Sequence, residues 1–486
     1  MFRQFVAKLF TLMELMAPTT HFLHLIFLVL TILSYTTFSY ETVSYLPGFT
    51  GKLPFNLESG YISVGDSEMF YYFVESEDNP RVDPLLLWLT GGPGCSSWNG
   101  LVYEIGPLEF DLDHSLTEGG FPRLRSYEHS WTKTASIIFL DSPVGTGFSY
   151  STTPEGWPSS DTQAANEAYQ FLMKWLEEHP QYLQVPFYVG GDAYSGIIVP
   201  LLTKLVVEGN EADKQPYVNL KGYMVGSPNT DEFIDSNSKV PFAHRMALIS
   251  DKYYHTLKKS CNENYVNVDP DNTECILALG IYERCVNGIW PNHILEPKCS
   301  LGRPQDDRWN RRSLIEDKDE YILSTPQFSK LLCRNFNYSL SETWANDKSV
   351  QEALHVREGT VKRWNRCNKT ISYTKDQPSV VNVHQDLAKY NLNVLVTTGD
   401  RDMVIPFVAV VEWINSLKQS LNLTLSEHWR PWFVDAQVGG YTRKYVKKPV
   451  YSLTYATVKG GGHAAAEYYR RECYEIFNRW VNYFPL

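Results

Sequence analysis

The 486-residue sequence predicts an α/β fold in which a central, mostly parallel sheet is covered by helices on both faces. Short apolar runs of strand length alternate with helical patterns, as they do in βαβ units. Hydrophobic residues make up 43% of the chain and charged residues 20%, which is a globular balance. The length suffices for one large domain with an insertion.

The predicted elements alternate along most of the chain and stop doing so in one stretch. The runs predicted to be strands are Met69–Val74, Leu85–Leu89, Ile137–Leu140, Phe187–Val189, Tyr223–Val225, Val394–Thr397 and Leu453–Val458. Helices are predicted at Asp161–Glu178, which Pro180 ends, and at Phe407–Leu417. Residues 236–344 lack this rhythm and hold five of the eight cysteines. We predict that they form a cap inserted over the carboxyl ends of the strands.

The N-terminus carries a targeting signal. Residues 22–33 form an apolar run of about a dozen residues with few charges before it. A membrane-spanning helix needs about 20 such residues, so residues 1–39 are predicted to be a cleaved secretory signal rather than an anchor. Met16 is an equally good start. The mature domain would then span residues 40–486 and have no membrane attachment after signal removal.

The secretory pathway permits disulfides and N-glycosylation, and three sequons begin at Asn337, Asn368 and Asn422. Because no CxxC pair occurs, a zinc or redox site is disfavoured, and we expect neither metal nor cofactor. The net charge of −11, without a long basic run, disfavours nucleic-acid binding. The charge-rich stretch 303–320 is predicted to be an exposed loop, either cleaved by proteases or left intact.

The segment 187–200 has the pattern of a strand, a tight glycine-bounded turn and a helix. In α/β-hydrolases the nucleophilic serine stands at the apex of such a turn, but here the apex residue is Ala193. Ser195 lies two residues further on, about 200° around the helix at 100° per residue. An attacking oxygen must come within about 3 to 3.5 Å of a carbonyl carbon, so we expect Ser195 to be misplaced.

Two later signals follow the α/β-hydrolase chain order of nucleophile, acid and histidine. Asp402 and His463 each come shortly after a predicted strand. In acyl transfer the histidine is the base, the acid orients it, and two backbone N–H groups stabilise the oxyanion. Asp400 is the alternative acid, and a structural histidine in a glycine-rich turn is the alternative interpretation of His463.

Five ordered motifs resemble those of the serine carboxypeptidase-like family. They are WLTGGPGCSS at 88–97, DSPVGTGFSY at 141–150, GGDAYSG at 190–196, GDRDMVIP at 399–406 and GGGH at 460–463. The resemblance covers nearly all of the chain after the signal and implies the α/β-hydrolase fold with an inserted cap.

The finer resemblance is to the plant acyltransferase branch, whose acyl donors are sugar esters of phenolic and other acids. Thr90 and Asp192 stand where family peptidases carry the Asn and Glu that hold a substrate's terminal carboxylate. The resemblance therefore makes a peptide C-terminus a poor substrate and gives both residues a substrate-binding role. Packing beneath the turn is the alternative for both.

Carried onto this sequence, the resemblance also assigns the remaining site residues. The N–H groups of Gly92 and Tyr194 would form the oxyanion hole, Asp402 would be the acid, His463 the base, and Ala193 the lost nucleophile. It implies three disulfides, Cys95–Cys367, Cys261–Cys275 and Cys299–Cys333, and leaves Cys285 and Cys473 unassigned.

Three functions follow from this pattern. The first is a non-catalytic companion of an active paralogous acyltransferase in plant specialised metabolism. The second is an active enzyme, either an acyltransferase using 1-O-acylglucose donors or a carboxypeptidase, with an unrecognised nucleophile or an altered codon at position 193. The third is a protein that binds a glycan or phenolic ester such as an acylglucose in the old pocket. Relatives favour the vacuole over the extracellular space.

Overall fold

The computed structural model describes residues 40–115, 120–298, 334–448 and 451–486. The predicted signal, the charged stretch 303–320, Cys299 and Cys333 lie outside the described residues. Among the described residues, no helix is long and apolar enough to cross a membrane. Thr42–Leu486 forms one unit, and the candidate site lies within it.

The strands of the described residues are numbered in chain order. They are β1 (Tyr40–Val43), β2 (Leu57–Val64), β3 (Ser67–Val74), β4 (Leu85–Leu89), β5 (Leu108–Phe110), β6 (Leu124–Ser126), β7 (Ser136–Leu140), β8 (Tyr150–Ser151), β9 (Ser159–Ser160), β10 (Phe187–Asp192), β11 (Leu220–Gly226), β12 (Tyr373–Thr374), β13 (Asn393–Gly399), β14 (Thr424–Val434), β15 (Gln437–Lys447) and β16 (Tyr451–Val458).

The α-helices are numbered in the same way. They are α1 (Leu112–Ser115), α2 (Asp161–Glu178), α3 (Ser195–Glu211), α4 (Glu232–Asn237), α5 (Lys239–Arg245), α6 (Asp251–Ser260), α7 (Thr273–Val286), α8 (Arg334–Ala345), α9 (Lys348–Ala353), α10 (Val381–Leu387), α11 (Phe407–Leu421), α12 (Ala465–Tyr468) and α13 (Arg470–Val481).

One large mixed sheet organises the fold, in the order β2-β3-β7-β4-β10-β11-β13-β16-β15-β14. The central strands from β7 to β16 are parallel, and the outer pairs on both sides are antiparallel. Every residue of β4, β7 and β13 is buried, because helices cover a parallel sheet on both faces. The predicted α/β fold is thus confirmed.

The described part of the stretch predicted as a cap consists of helices joined by loops. Helices α5, α6 and α7 pack around a small apolar cluster of their own, separate from the main core, that includes Val240, Ala243 and Leu257. The disulfide Cys261–Cys275 lies in the same cluster and joins the end of α6 to α7. This stretch therefore has packing of its own.

Candidate active site

A sharp turn joins β10 to α3 at the centre of the sheet. Its apex residue is Ala193, with a φ of 53°, a left-handed conformation that costs a non-glycine residue about 1 to 2 kcal/mol. Hydrogen bonds hold the strained peptide: Ala193 N donates to Gly226 O at 2.8 Å, and Ala193 O accepts from Asn229 N at 2.9 Å and Gly196 N at 3.0 Å. The chain keeps the strained geometry of a nucleophile turn with a methyl group at its apex.

Glycine is required at two positions beside the turn, because neighbouring atoms lie too close to leave room for a side chain. A Cβ atom on Gly191 would lie 2.4 Å from Leu89 O and 2.3 Å from Ser195 Oγ. A Cβ on Gly196 would lie 2.5 Å from Asn229 O. Since backbone atoms are among the neighbours at both positions, side chains there would push strand and helix apart.

Ser195 points away from the apex. Its Oγ donates to Asp192 O at 2.7 Å, and the residue is only 3% exposed. A hydroxyl folded back beneath the strand and bonded to a backbone carbonyl cannot line up with a carbonyl bound above the turn. The attacking position is therefore occupied by Ala193 alone, whose surface is partly exposed.

An acid and a base meet beside this turn. His463 Nδ1 lies 2.8 Å from Asp402 Oδ2, and Asp402 is fully buried. The other carboxylate oxygen, Oδ1, accepts from Val404 N at 2.8 Å and Ile405 N at 3.0 Å. Asp400 instead accepts from a backbone N–H of the glycine-rich turn, so Asp402 is the acid that orients the histidine.

Buried carboxyl groups surround the histidine. Burial lowers the pKa of His463, but the charge and hydrogen bond of Asp402 and the charges of Asp192 and Glu467 outweigh it, so the pKa lies above its ordinary value. Burial raises the pKa of Asp192 to about 6, against the charge of His463 and the N–H of Gly91. Burial, with the charges of Asp192 and Glu467, raises the pKa of Glu104 well above its ordinary value.

Glu104 and Glu467 belong to this acidic cluster and were not among the sequence-predicted site residues. Glu467 lies four residues after the histidine, and that spacing was the available signal. Glu104 comes from a separate segment that only the fold brings to the site.

The predicted oxyanion hole lies where the loop after β4 abuts the turn. A Cβ on Gly91 would be 2.6 Å from Ala193 Cβ and 2.8 Å from Tyr194 N. Within the described residues, the N–H groups of Gly92 and Tyr194 donate no hydrogen bond. Two free donors next to the apex are the arrangement that stabilises a tetrahedral oxyanion.

The two residues predicted to bind substrate face different cavities. Thr90, whose hydroxyl is buried and has no partner in the described part of the chain, lines a small cavity beside Tyr194. Asp192 accepts a hydrogen bond from Gly91 N at 3.3 Å and lines a second cavity below the turn with Ala464. The fold does not place these side chains in one common cavity.

Two larger clefts, of about 210 and 270 Å³, lie beside Tyr194 of the turn and beside Glu467 of the acidic cluster. One is lined by Tyr194, Ile405 and several polar or charged side chains of α4 and α5. The other is lined by Tyr103, Glu467 and three arginines. Their polar walls suit ligands rich in hydroxyl groups.

The structure locates the described cysteines and the asparagines of the three sequons. Cys95 is bonded to Cys367, beside the oxyanion loop, and the bond closes a separation of 272 residues. Cys285 is an exposed thiol and Cys473 a buried one. The sequon residues differ in exposure: Asn422 is exposed at the end of α11, Asn368 donates to Gly145 O at 2.9 Å, and Asn337 lies within α8 with its side-chain oxygen buried.

Comparisons with known proteins identify the family and the fold of the chain. A family model described as serine carboxypeptidase matches residues 47–483. Serine carboxypeptidase-like 17 from Arabidopsis thaliana is 46% identical over 449 residues, covering 92% of this chain and 94% of the relative. Serine carboxypeptidase-like 10 from the same plant is 44% identical over 466 residues, covering 95% and 99%. The crystal structure of a prohormone-processing carboxypeptidase from Saccharomyces cerevisiae matches with a TM-score of 0.66 at 19% identity, covering 91% of this chain and 95% of that one.

Proposed function

Because the chain belongs to the serine carboxypeptidase family, we propose that it is a non-catalytic companion of an active, glucose-ester-dependent acyltransferase paralogue in plant specialised metabolism. The observation that carries the proposal is the methyl group of Ala193 at the apex of a turn that otherwise keeps its acid, base and oxyanion donors. His463 can take a proton from a hydroxyl group but not from a methyl group. Acyl transfer through a covalent intermediate is lost while the fold is kept.

The loss is large on the scale of enzyme catalysis. In subtilisin, a different serine hydrolase, removal of the serine lowers turnover by about a million-fold, equivalent to about 8 kcal/mol in the barrier. What survives in such variants comes from the oxyanion hole and from binding. A chain with this defect would contribute to acyl transfer chiefly by binding an active enzyme, not by its own turnover.

Because the chain keeps the family fold, a paralogue is the partner whose surface best matches its own. Soluble oligomers most often pair identical surfaces about a two-fold axis. A duplicated chain inherits such a surface, so a copy that loses its nucleophile still pairs with an active copy. Binding to the folded state would then stabilise the active subunit by mass action.

The acyltransferase type is supported by Thr90 and Asp192. Both have shorter or less polar side chains than the Asn and Glu of family peptidases, which weakens recognition of a peptide's terminal carboxylate. The raised pKa of Asp192, about 6, also leaves it partly protonated in a mildly acidic compartment. A sugar ester, which carries no terminal carboxylate, avoids the buried acidic cluster around Glu104. We place the protein in the secretory pathway, with the vacuole ahead of the extracellular space.

A second candidate is a binding protein for an acylglucose or another phenolic or glycan ester. The two clefts beside Tyr194 and Glu467 favour it, because they are larger than the cavities next to Thr90 and Asp192 and have polar walls. Equilibrium binding of an acylglucose by the chain alone, without any partner, would support this candidate over the companion.

Co-expression tests the companion directly. The chain is produced with an active family member from the same genome, one that has serine at the position of Ala193. Pull-down, thermal stability and the rate of glucose-ester transfer are then measured with and without the chain. We expect a complex and a more stable or faster paralogue; no change in any of the three would contradict the proposal.

Ala193→Ser tests the donor class separately. We expect the variant to gain acyl transfer from 1-O-acylglucose, since only one oxygen is restored. Ala193→Gly is the matched control, because it fits the left-handed φ and carries no nucleophile. Covalent labelling of the native chain at Ser195 by a fluorophosphonate would instead show an active enzyme.

A further inference from the structure

We infer that this chain hydrolyses acyl esters slowly by a route without an acyl-enzyme, in which His463 activates a water molecule that attacks the ester directly. The inference goes beyond the companion function and rests on the proposed function only for the class of ester, a 1-O-acylglucose. Three features of the site carry it: a positioned base, free oxyanion donors and an accessible apex.

In its neutral form the base is correctly oriented. Asp402 accepts a hydrogen bond from Nδ1 of His463, so in the neutral ring the lone pair lies on Nε2. None of the described residues hydrogen-bonds to Nε2, and the side chain is 12% exposed. The imidazole is thus fixed by one nitrogen and available to solvent through the other.

The substrate carbonyl can still be polarised. The N–H groups of Gly92 and Tyr194 are free within the described residues and lie beside the apex. The turn that positions them keeps its hydrogen bonds to Gly226 and Asn229, although the reason for its strain, an attacking serine, is gone. An ester bound with its carbonyl oxygen at these donors presents its carbonyl carbon above Ala193.

The apex can admit water. Serine and alanine differ by one oxygen, and Ala193 is partly exposed, so solvent reaches the place where a serine hydroxyl would stand. A water there can donate to His463 Nε2 and face the carbonyl carbon. Polar partners of this kind are what a bound water needs.

The reaction balances without any further reagent. The water oxygen forms a bond to the carbonyl carbon while one water proton moves to His463 Nε2. The tetrahedral oxyanion collapses, the bond between the carbonyl carbon and the anomeric oxygen of glucose breaks, and that oxygen takes the proton from Nε2. The products are a free carboxylic acid and glucose, and the imidazole returns to its neutral form.

The test compares the purified native chain with His463→Ala, using 1-O-cinnamoylglucose as the probe and release of cinnamic acid as the readout. General-base catalysis contributes about 10²- to 10⁴-fold, so we expect His463→Ala to be at least about 100-fold slower. His428→Ala, at an exposed position on β14, is the matched control and keeps the native rate. His463→Gln, which keeps a long polar side chain, repeats the comparison if the alanine variant is unstable.

Intact-protein mass during turnover distinguishes the route. An unmodified polypeptide that releases acid in a His463-dependent manner supports the inference. An acylated polypeptide, or equal rates for the native chain and both His463 variants, overturns it, since a contaminating esterase would act equally in all preparations. If Ala193→Ser transfers acyl groups while the native chain shows no His463-dependent rate, the inference fails and the proposed function stands. If neither acts, the proposed donor class fails as well.

Discussion

Removing the carboxylate of Asp402 should destabilise the fold. Asp402 is fully buried and accepts three hydrogen bonds, from His463 Nδ1 and from the N–H groups of Val404 and Ile405. Asp402→Ala leaves all three donors without their acceptor. Removal of one partner of a buried, hydrogen-bonded pair costs about 3 to 5 kcal/mol, so we expect a loss of that size in the free energy of unfolding.

Asp402→Asn separates the interaction with His463 from the backbone hydrogen bonds. Its amide oxygen can still accept from Val404 N and Ile405 N, but its NH2 group then faces His463 Nδ1 and cannot accept from it, so the hydrogen bond and the charge interaction with His463 are lost. We expect about 1.5 to 3 kcal/mol, the contribution of one hydrogen bond to a charged group. Urea denaturation followed by tryptophan fluorescence measures both variants.

The pH dependence gives a second readout of the same pair. The pKa of His463 is raised in the folded protein. A histidine with a raised pKa stabilises the fold at pH values below its unfolded pKa, and this stabilisation is lost as the pH rises through the folded pKa. The gap between native chain and Asp402→Asn should therefore be wider at about pH 5 than at about pH 8. Equal losses for the two variants, or a loss under about 1 kcal/mol for Asp402→Ala, would refute the reasoning.

Three further predictions concern other parts of the structure. Gly196→Ala should destabilise the protein by about 1 to 3 kcal/mol, because the new Cβ would lie 2.5 Å from Asn229 O. Gly280→Ala lies in the interior of α7, where nothing is within 4 Å of the new Cβ, and should stabilise the protein by about 0.5 to 1 kcal/mol. Thermal melts of both variants test this. Asp192→Asn should stabilise the chain by an amount that grows between about pH 4 and about pH 6 and is constant above that, because the carboxyl ionises from about pH 4 in the unfolded chain but burial raises its pKa to about 6 in the folded protein; a gap that shrinks as pH rises through this range would contradict this. Asn422, exposed at the end of α11, should be glycosylated at higher occupancy than Asn337, whose side-chain oxygen is buried within α8; glycopeptide mass spectrometry measures both, and the reverse order would count against the described burial.

The central strands could be predicted from sequence because parallel strands buried on both faces are continuous apolar runs. β4 and α2 have the predicted bounds, and β10 extends three residues beyond the predicted Val189 because Gly190, Gly191 and Asp192 continue the ladder with β11. The outer strands β2, β14 and β15 were missed. β14 alternates exposed and partly buried residues and contains Pro431, so its sequence lacks an apolar run.

The residues of the site also differed in whether the sequence could predict them. Ala193, Asp402 and His463 could be found because a strand end and a glycine-bounded turn mark each position in the sequence. Glu104 stands near where family peptidases often carry adjacent acids, but no strand end or glycine-bounded turn marks it. Its raised pKa arises from burial and from the charges of Asp192 and Glu467, which lie far away in the chain. The residues that form a turn are adjacent in the sequence and can be recognised there. The residues of a buried acidic cluster come together only when the chain folds.

The nucleophile is the member of the site that the fold can lose most easily. The apex is partly exposed, and substitutions at positions open to solvent alter stability by about 0.5 kcal/mol or less. Loss of Asp402 leaves three donors without an acceptor, and glycines 191 and 196 cannot gain side chains without displacing neighbouring atoms. A chain selected for folding and pairing, but no longer for turnover, would therefore lose its attacking oxygen while its acid, base and turn persist. Under the proposed companion function, a methyl group at position 193 beside a paired Asp402 and His463 is what that selection predicts.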